Sequence, residues 1–201
     1  MNEAERTVLK ETPPATPTSP VLEIRPARVS DVPEIKRLID ANVQEGVLLP
    51  KPLFVLYETV RDFKVCVDEE KVVGVGALHV VWEDLAEVRS IAVAPTHQRK
   101  GIGRRLVTEL LEEARKLDVG RVFALTYATD FFFSLGFRVI DKTQLPHKIW
   151  ADCIQCHKFP ICDEVAVIRE FKSYPEGSMG PPPGLPQVVD LGRLVPGVEP
   201  V

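Results

Sequence analysis

Apolar residues recur along the middle of this chain with two periods. Val32, Ile35, Leu38 and Ile39 repeat at three- and four-residue spacing, which marks one face of a helix. Asp31 stands just before them, with Pro33 in the first turn and Glu34 three residues on, so a helix capped by Asp31 is expected. Leu53, Leu56 and Val60 predict a shorter helix from near Pro52. Ile102, Leu106, Leu110 and Leu111 predict a strongly amphipathic one from about Ile102 to Leu117, and a short helix covers about Asp130–Leu135. Between these lie apolar and β-branched runs that read as strands: Val21–Arg25, Phe63–Val67, Val72–Val81, Leu85–Val93, Arg121–Thr126, Phe137–Ile140 and Glu164–Phe171. The polar turn Asp68-Glu69-Glu70-Lys71 makes the second and third of these a hairpin. Two helices, a meander and a strand–helix–strand unit predict an α/β (α+β) fold, a mixed sheet covered on both faces.

Composition trims this picture at its ends. Eleven of the 18 prolines lie in residues 1–20 and 174–201, stretches too poor in core-forming pattern to offset chain entropy. Both read as flexible tails around a folded unit at 21–173. With 45% apolar residues, that unit can bury a sizeable core. A net charge of −4 argues against nucleic acid as a partner, since phosphate-backbone binding needs a basic face. No run approaches the roughly 20 apolar residues of a membrane span, and the first residues lack a secretion-signal pattern. A cytoplasmic protein is expected, with its cysteines reduced or bound to metal.

The chemistry concentrates in Gln98-Arg99-Lys100-Gly101-Ile102-Gly103, set between a strand and an amphipathic helix. A helix N-terminus carries unpaired N–H groups and partial positive charge, which suits a pyrophosphate. Gly101 and Gly103 permit close backbone approach, and Arg99, Lys100, Arg104 and Arg105 add charge to the turn. A dinucleotide fingerprint would need a third glycine where Leu106 stands, and a Gly-Lys-Ser/Thr loop is absent.

The pattern Q/R-x-x-G-x-G/A, preceded by Ile91-Ala92-Val93 and Pro95, resembles the acetyl-CoA loop of the GNAT superfamily of N-acyltransferases. Phe132-Phe133-Ser134-Leu135-Gly136-Phe137 is similar to that superfamily's second CoA motif. The resemblance implies a mostly antiparallel central sheet and acetyl-CoA as co-substrate. It implies pantetheine contacts at Ile91, Ala92 and Val93, pyrophosphate contacts from Gln98 to Arg104 (Gln98, Arg99, Lys100, Gly101, Ile102, Gly103, Arg104), and a CoA contact at Phe132. Many members carry a tyrosine acid in the second motif; Phe132 and Phe133 cannot donate a proton.

Four segments resemble the short form of N-acetylglutamate synthase: Gly46–Lys51, Glu87–Val93, Phe123–Thr126 and Glu164–Val167. That resemblance implies glutamate as acceptor in the first step of arginine biosynthesis. It places the general base on Glu87, the general acid on Thr126 and the acceptor carboxylate on Lys51. Tyr127, a phenol next in the chain, is the alternative proton donor, and Arg89 is a further candidate for binding the acceptor. Lysine lacks the bidentate fork of arginine, so discrimination between carboxylates is looser. Long-form relatives carry a further kinase-like domain that senses arginine, and no such domain is read in this sequence. A homodimer is compatible with all of this.

Each residue also has a bland reading. Glu87 can pair with Arg89 or Lys100, Lys51 can be a loop lysine, and Thr126 is a common strand residue. Glutamine, another small amine, a polyamine or a protein N-terminus remain alternative acceptors, and a non-catalytic CoA-binding module is the alternative class. Cys153, Cys156, His157 and Cys162 lie within ten residues, which allows a zinc site. The second C-x-x-C of a full site is missing, so free thiols and no metal are expected. Cys66 is expected in the core.

Overall fold

A computed structural model of the chain describes residues 22–44, 46, 48–145 and 163–172. The proline-rich ends and the cluster at Cys153, Cys156, His157 and Cys162 lie outside the described residues. Within them, one sheet contains β1 (Glu23–Pro26), β2 (Phe63–Asp68), β3 (Lys71–Trp82), β4 (Leu85–Val93), β5 (Arg121–Thr126), β6 (Arg138–Val139) and β7 (Val165–Glu170). The strands run across it in the order β1-β2-β3-β4-β5-β7-β6. Neighbours are antiparallel except β4 and β5. That exception follows from their connection, because a parallel pair needs a crossover and a helix supplies it. The helices are α1 (Val32–Gln44), α2 (Leu53–Glu58), α3 (Ile102–Lys116, the crossover) and α4 (Thr129–Phe133).

The sheet is covered on both faces, as its apolar runs require. α1 buries Val32, Ile35, Leu38 and Ile39 in a cluster with Val75 and Ala77 of β3. Such side chains contribute about 1.5–3 kcal/mol each on burial. α3 sets Val107, Leu110 and Leu111 against Leu78, Ala86 and Val88 on the opposite face. Two glycines of β3 allow this approach. A Cβ at Gly74 would lie 2.8 Å from Ile102 Cγ2, and one at Gly76 would lie 3.2 Å from Leu110 Cδ1. Cys66 is in the core as expected, and burial pushes its thiol pKa up. Among the described residues no helix is long and apolar enough to cross a membrane.

Two local departures have physical causes. Asp31 does not cap α1 forward. A 3-10 turn over Val29–Asp31 precedes the helix, and the carboxylate reaches back to accept from the Arg28 N–H at 2.7 Å. It also accepts from the Arg25 guanidinium at 2.7 and 2.9 Å, tying β1 to the start of α1. The hydrogen bond from Arg25 is the leading reason that the Asp31 carboxyl sits below its ordinary pKa, against an opposing burial penalty. The second helix stops before Val60. The Thr59 hydroxyl donates to the Val55 carbonyl, and a 3-10 turn over Val60–Asp62 leads into β2.

Candidate active site

The sheet opens at its centre. Parallel pairing joins Leu85, Ala86 and Glu87 to Arg121, Val122 and Phe123, and ends there. Beyond that point β4 continues along β3 as far as Val93, and β5 continues along β7 as far as Thr126. Ser90 is the local cause. It has φ 56°, a left-handed conformation uncommon for a non-glycine residue. Arg89 pairs with Ala77 and Ala92 with Val75, so β4 spends one more residue than β3 across this interval. This is a β-bulge, which bends the strand and raises its twist.

The bulge also shifts which residues face which side. Arg89 pairs with Ala77 and Ala92 with Val75, the two β3 residues on the α1 face, whereas Val88 and Ile91 join the cluster under α3. The Ala94 N–H donates to the Val73 carbonyl at 2.8 Å. Antiparallel alternation therefore turns Ala92 toward β3, and turns the N–H and C=O of Ile91 and Val93 toward the opening. The Val93 carbonyl meets the Gln98 side-chain amide there at 3.3 Å. A linear diamide can add to such an edge as an extra strand does. Ala92, singled out with its neighbours from the sequence, contributes its backbone to β3 instead.

At the end of β4 the chain makes a 3-10 turn over Pro95–His97, then bends at Arg99 (φ 61°) and Gly101 (φ 79°) into α3. Gly101 occupies the N-cap and brings no side-chain cap. The Arg105 N–H finds the Gly101 carbonyl, so those of Ile102, Gly103 and Arg104 are the ones left without an acceptor inside the helix. This end can take an anion. The basic residues do not all converge on it. Arg99 and Lys100 are exposed beside the turn. Arg104 donates to the Ser134 hydroxyl at 2.7 Å, and Arg105 reaches away to the Leu22 carbonyl at 3.0 Å.

On the α1 face, a small charged cluster sits at the closed end of the opening. Glu87 and Arg89 share one side of β4, and His79 of β3 lies directly opposite Glu87. Arg89 Nη1 is 3.6 Å from Glu87 Oε2, and Arg89 Nη2 is 4.0 Å from Asp62 Oδ2. His79 Nδ1 meets the same Asp62 oxygen at 2.8 Å. Glu87 and Arg89 are largely buried, at 15% and 14% side-chain exposure. A carboxylate so placed can accept a proton, with a guanidinium held against it.

The structure does not gather every residue expected at the site. Thr126 is buried at the end of β5, where its hydroxyl oxygen accepts from the Ala128 N–H at 2.9 Å. Strand alternation puts it on the side of Val122 and Ala124, beneath α3, rather than on the side of Glu87. Parallel register sets it level with Ser90, about 10 Å along the strand direction from Glu87. The Tyr127 hydroxyl donates to Asp163 at 2.6 Å. Phe132 is a core residue, edge-on to Phe131 and Phe137 at 5.2 and 5.1 Å. The ring facing the α3 turn is Phe131, 3.7 Å from where a Gly103 Cβ would stand. Lys51 lies in the segment just before α2. His79, Asp62, Ser90 and Phe131 escaped the sequence reading. Counting the hairpin register back from Trp82 opposite Leu85 places Val80 across from Glu87; a register shift between Val80 and Trp82 brings His79 there instead, and no periodic signal marks the others. Among the described residues no cluster suited to a metal occurs.

Residues 40–137 match the profile of the acetyltransferase (GNAT) family. An amino-acid acetyltransferase of Mycobacterium tuberculosis is 43% identical over 141 residues, covering 69% of this chain and 79% of that protein. The crystal structure of Rv2747 from Mycobacterium tuberculosis, in complex with CoA and NLQ, is 36% identical with a TM-score of 0.65. The match covers 74% of this chain and 98% of that one. N-acetylglutamate synthase from Neisseria gonorrhoeae, complexed with coenzyme A and N-acetyl-glutamate, is 25% identical with a TM-score of 0.68. There the match covers 78% of this chain but 36% of the synthase.

Proposed function

This chain belongs to the acetyltransferase (GNAT) family, and from that premise we propose that it transfers the acetyl group of acetyl-CoA to the α-amino group of an amino acid, L-glutamate, at the start of arginine biosynthesis. The observation that carries the transfer chemistry is the opening of β4 from β5 beside an uncapped helix start. An extended amide chain fits the exposed edge at Ile91 and Val93, and a pyrophosphate fits the N–H groups of Ile102, Gly103 and Arg104. Gln98, Arg99 and Lys100 flank that end, and Phe131 closes its side.

An amino acid reaches the site as an ammonium, which has no lone pair for attack. Glu87 takes the proton, directly or through water, a step typically worth about 10²–10⁴-fold. The amine then adds to the thioester carbonyl, and the Ile91 N–H is aimed where the oxyanion forms; one such donor is worth about 10²–10³-fold. As the C–S bond breaks, the departing thiolate takes a proton from Thr126 or from solvent. Among the described residues the Thr126 hydroxyl accepts from the Ala128 N–H, which leaves its own proton to give. Lys51 and Arg89 meet the acceptor carboxylates. Glutamate as acceptor rests on the likeness to the gonococcal synthase, whose structure holds N-acetyl-glutamate.

A steady-state screen of the 20 amino acids with acetyl-CoA tests the proposal. The highest kcat/KM is expected for glutamate. A neutral amino acid in first place overturns the acceptor, and no turnover with any of them leaves a polyamine or a protein N-terminus as acceptor, or a CoA-binding module.

A further inference from the structure

The loop from Ala94 to Gly101 departs from ordinary backbone twice, at Arg99 (φ 61°) and Gly101 (φ 79°). A left-handed conformation costs a non-glycine residue about 1–2 kcal/mol, and it persists only where its surroundings over-determine it. Beyond Ala94, whose N–H still bonds to the Val73 carbonyl, the loop lies outside the strand ladders, so side chains can supply part of that constraint. His97 is placed to do so. Its Nε2 meets Asp68 Oδ2 at 2.9 Å, and its Nδ1 meets the Thr96 hydroxyl at 2.8 Å. A carboxylate can only accept, so Nε2–H donates to Asp68, while the Thr96 hydroxyl can give or take the hydrogen it shares with Nδ1. Both side chains of the His97–Asp68 pair are largely covered, at 18% and 22% exposure.

Asp68 is the last residue of β2, at the turn into β3, and comes from a different part of the sheet. A carboxylate close to a site for a pyrophosphate opposes anion binding, so its presence calls for another role. Its second oxygen, Oδ1, is buried and meets no donor among the described residues, which leaves the bond from His97 as this carboxylate's hydrogen bond there. The pair thus fastens the loop to the β2–β3 turn on one side, while Gln98 fastens it to Val93 on the other. Neither His97 nor Asp68 lies at the uncapped end of α3.

We propose that His97, held by Asp68 and Thr96, is a positioning residue for CoA: it holds the loop in the left-handed path that aims the N–H groups of α3 at the pyrophosphate. The inference rests on the acetyl-CoA reading above and adds to it the residues that shape the cradle without touching the ligand.

The experiment is calorimetric titration of CoA into the full chain, with acceptor kinetics at saturating acetyl-CoA and melting curves alongside. His97→Ala should raise the Kd for CoA about tenfold, the scale of one well-placed hydrogen bond. The KM for the amino acid should stay within about twofold. Asp68→Ala should do the same, and the double variant no more than either alone, as expected of one interaction. His97→Gln, which keeps an N–H at similar reach, should recover most of the affinity. A folded His97→Ala protein that binds CoA like the parent overturns the proposal, even if it melts earlier. Thr96→Val, at an exposed position, keeps the test decisive should His97→Ala fail to fold, and unchanged affinity there also overturns it. A parent protein that does not bind CoA fails the acetyl-CoA reading itself.

Discussion

At the scale of single residues, the site divides into groups that act on protons and groups that shape backbone. Glu87 belongs to the first. Glu87→Gln should lower kcat by about 10²-fold or more while leaving CoA affinity unchanged, because the anion-binding end lies beyond β4. The loss should shrink as pH rises, since more of the acceptor amine is then already neutral. A pH profile of kcat/KM checks both statements, and parent-like turnover across the range would make Glu87 a structural partner of Arg89. Gly101 belongs to the second group. A Cβ there meets nothing within 4 Å, so the cost of Gly101→Ala is the positive φ alone, about 1–2 kcal/mol. Gly103 is different, since its added Cβ would make ordinary contact with Phe131 at 3.7 Å. Gly101→Ala should therefore lower the melting temperature where Gly103→Ala does not, which thermal denaturation of the two proteins checks. The glycines were legible because the phosphate-loop pattern is local. Asp62 and His79, which complete the cluster around Glu87 and Arg89, were not, because they arrive from segments 17 residues apart and meet only through packing.

At the scale of elements, periodicity carried most of the reading. The bounds expected for β4 and β5 agree with the structure, and the four apolar residues of α1 are the four it buries. What periodicity cannot register is an extra residue inside a strand. Leu85–Val93 looks continuous, and Ser90 is not the glycine that would advertise a bulge, yet the side-chain order changes phase there. The capping signal at Asp31 was misread for a related reason. Its pattern is that of a helix start, but a cation on the neighbouring strand competes for the carboxylate and wins. Asp31→Asn should cost about 1–3 kcal/mol near neutral pH, through the lost pairing with Arg25. The sign with pH follows from the lowered carboxyl. Stabilisation by Asp31 is fully present above its unfolded pKa near about 3.9 and fades as pH falls through the lower folded value. Urea titrations of parent and variant should draw together as pH falls into the acid range, and a gap that does not narrow there would contradict the ion-pair account.

At the scale of the whole molecule, the fold class and the covering of both faces followed from the alternation of strands and helices, whereas the opening between β4 and β5 did not. Pairing length is a tertiary property, set where the bulge turns β4 away after three residue pairs with β5. The sheet is therefore two ladders, β1 to β4 and β5 to β7, joined at one end and spanned by α3. This arrangement has a consequence in time as well as in shape. Amide protons along β4 and just past its end differ in kind: those of Ala92 and Ala94 are locked into the ladder with β3, while those of Ile91 and Val93 face the gap. In deuterated solvent without ligand, the second pair should exchange well ahead of the first, although all four sit mid-sheet. Saturating CoA should slow Ile91 and Val93 and leave Ala92 and Ala94 as they were, so that a single strand keeps a residue-by-residue record of whether its empty edge has been filled.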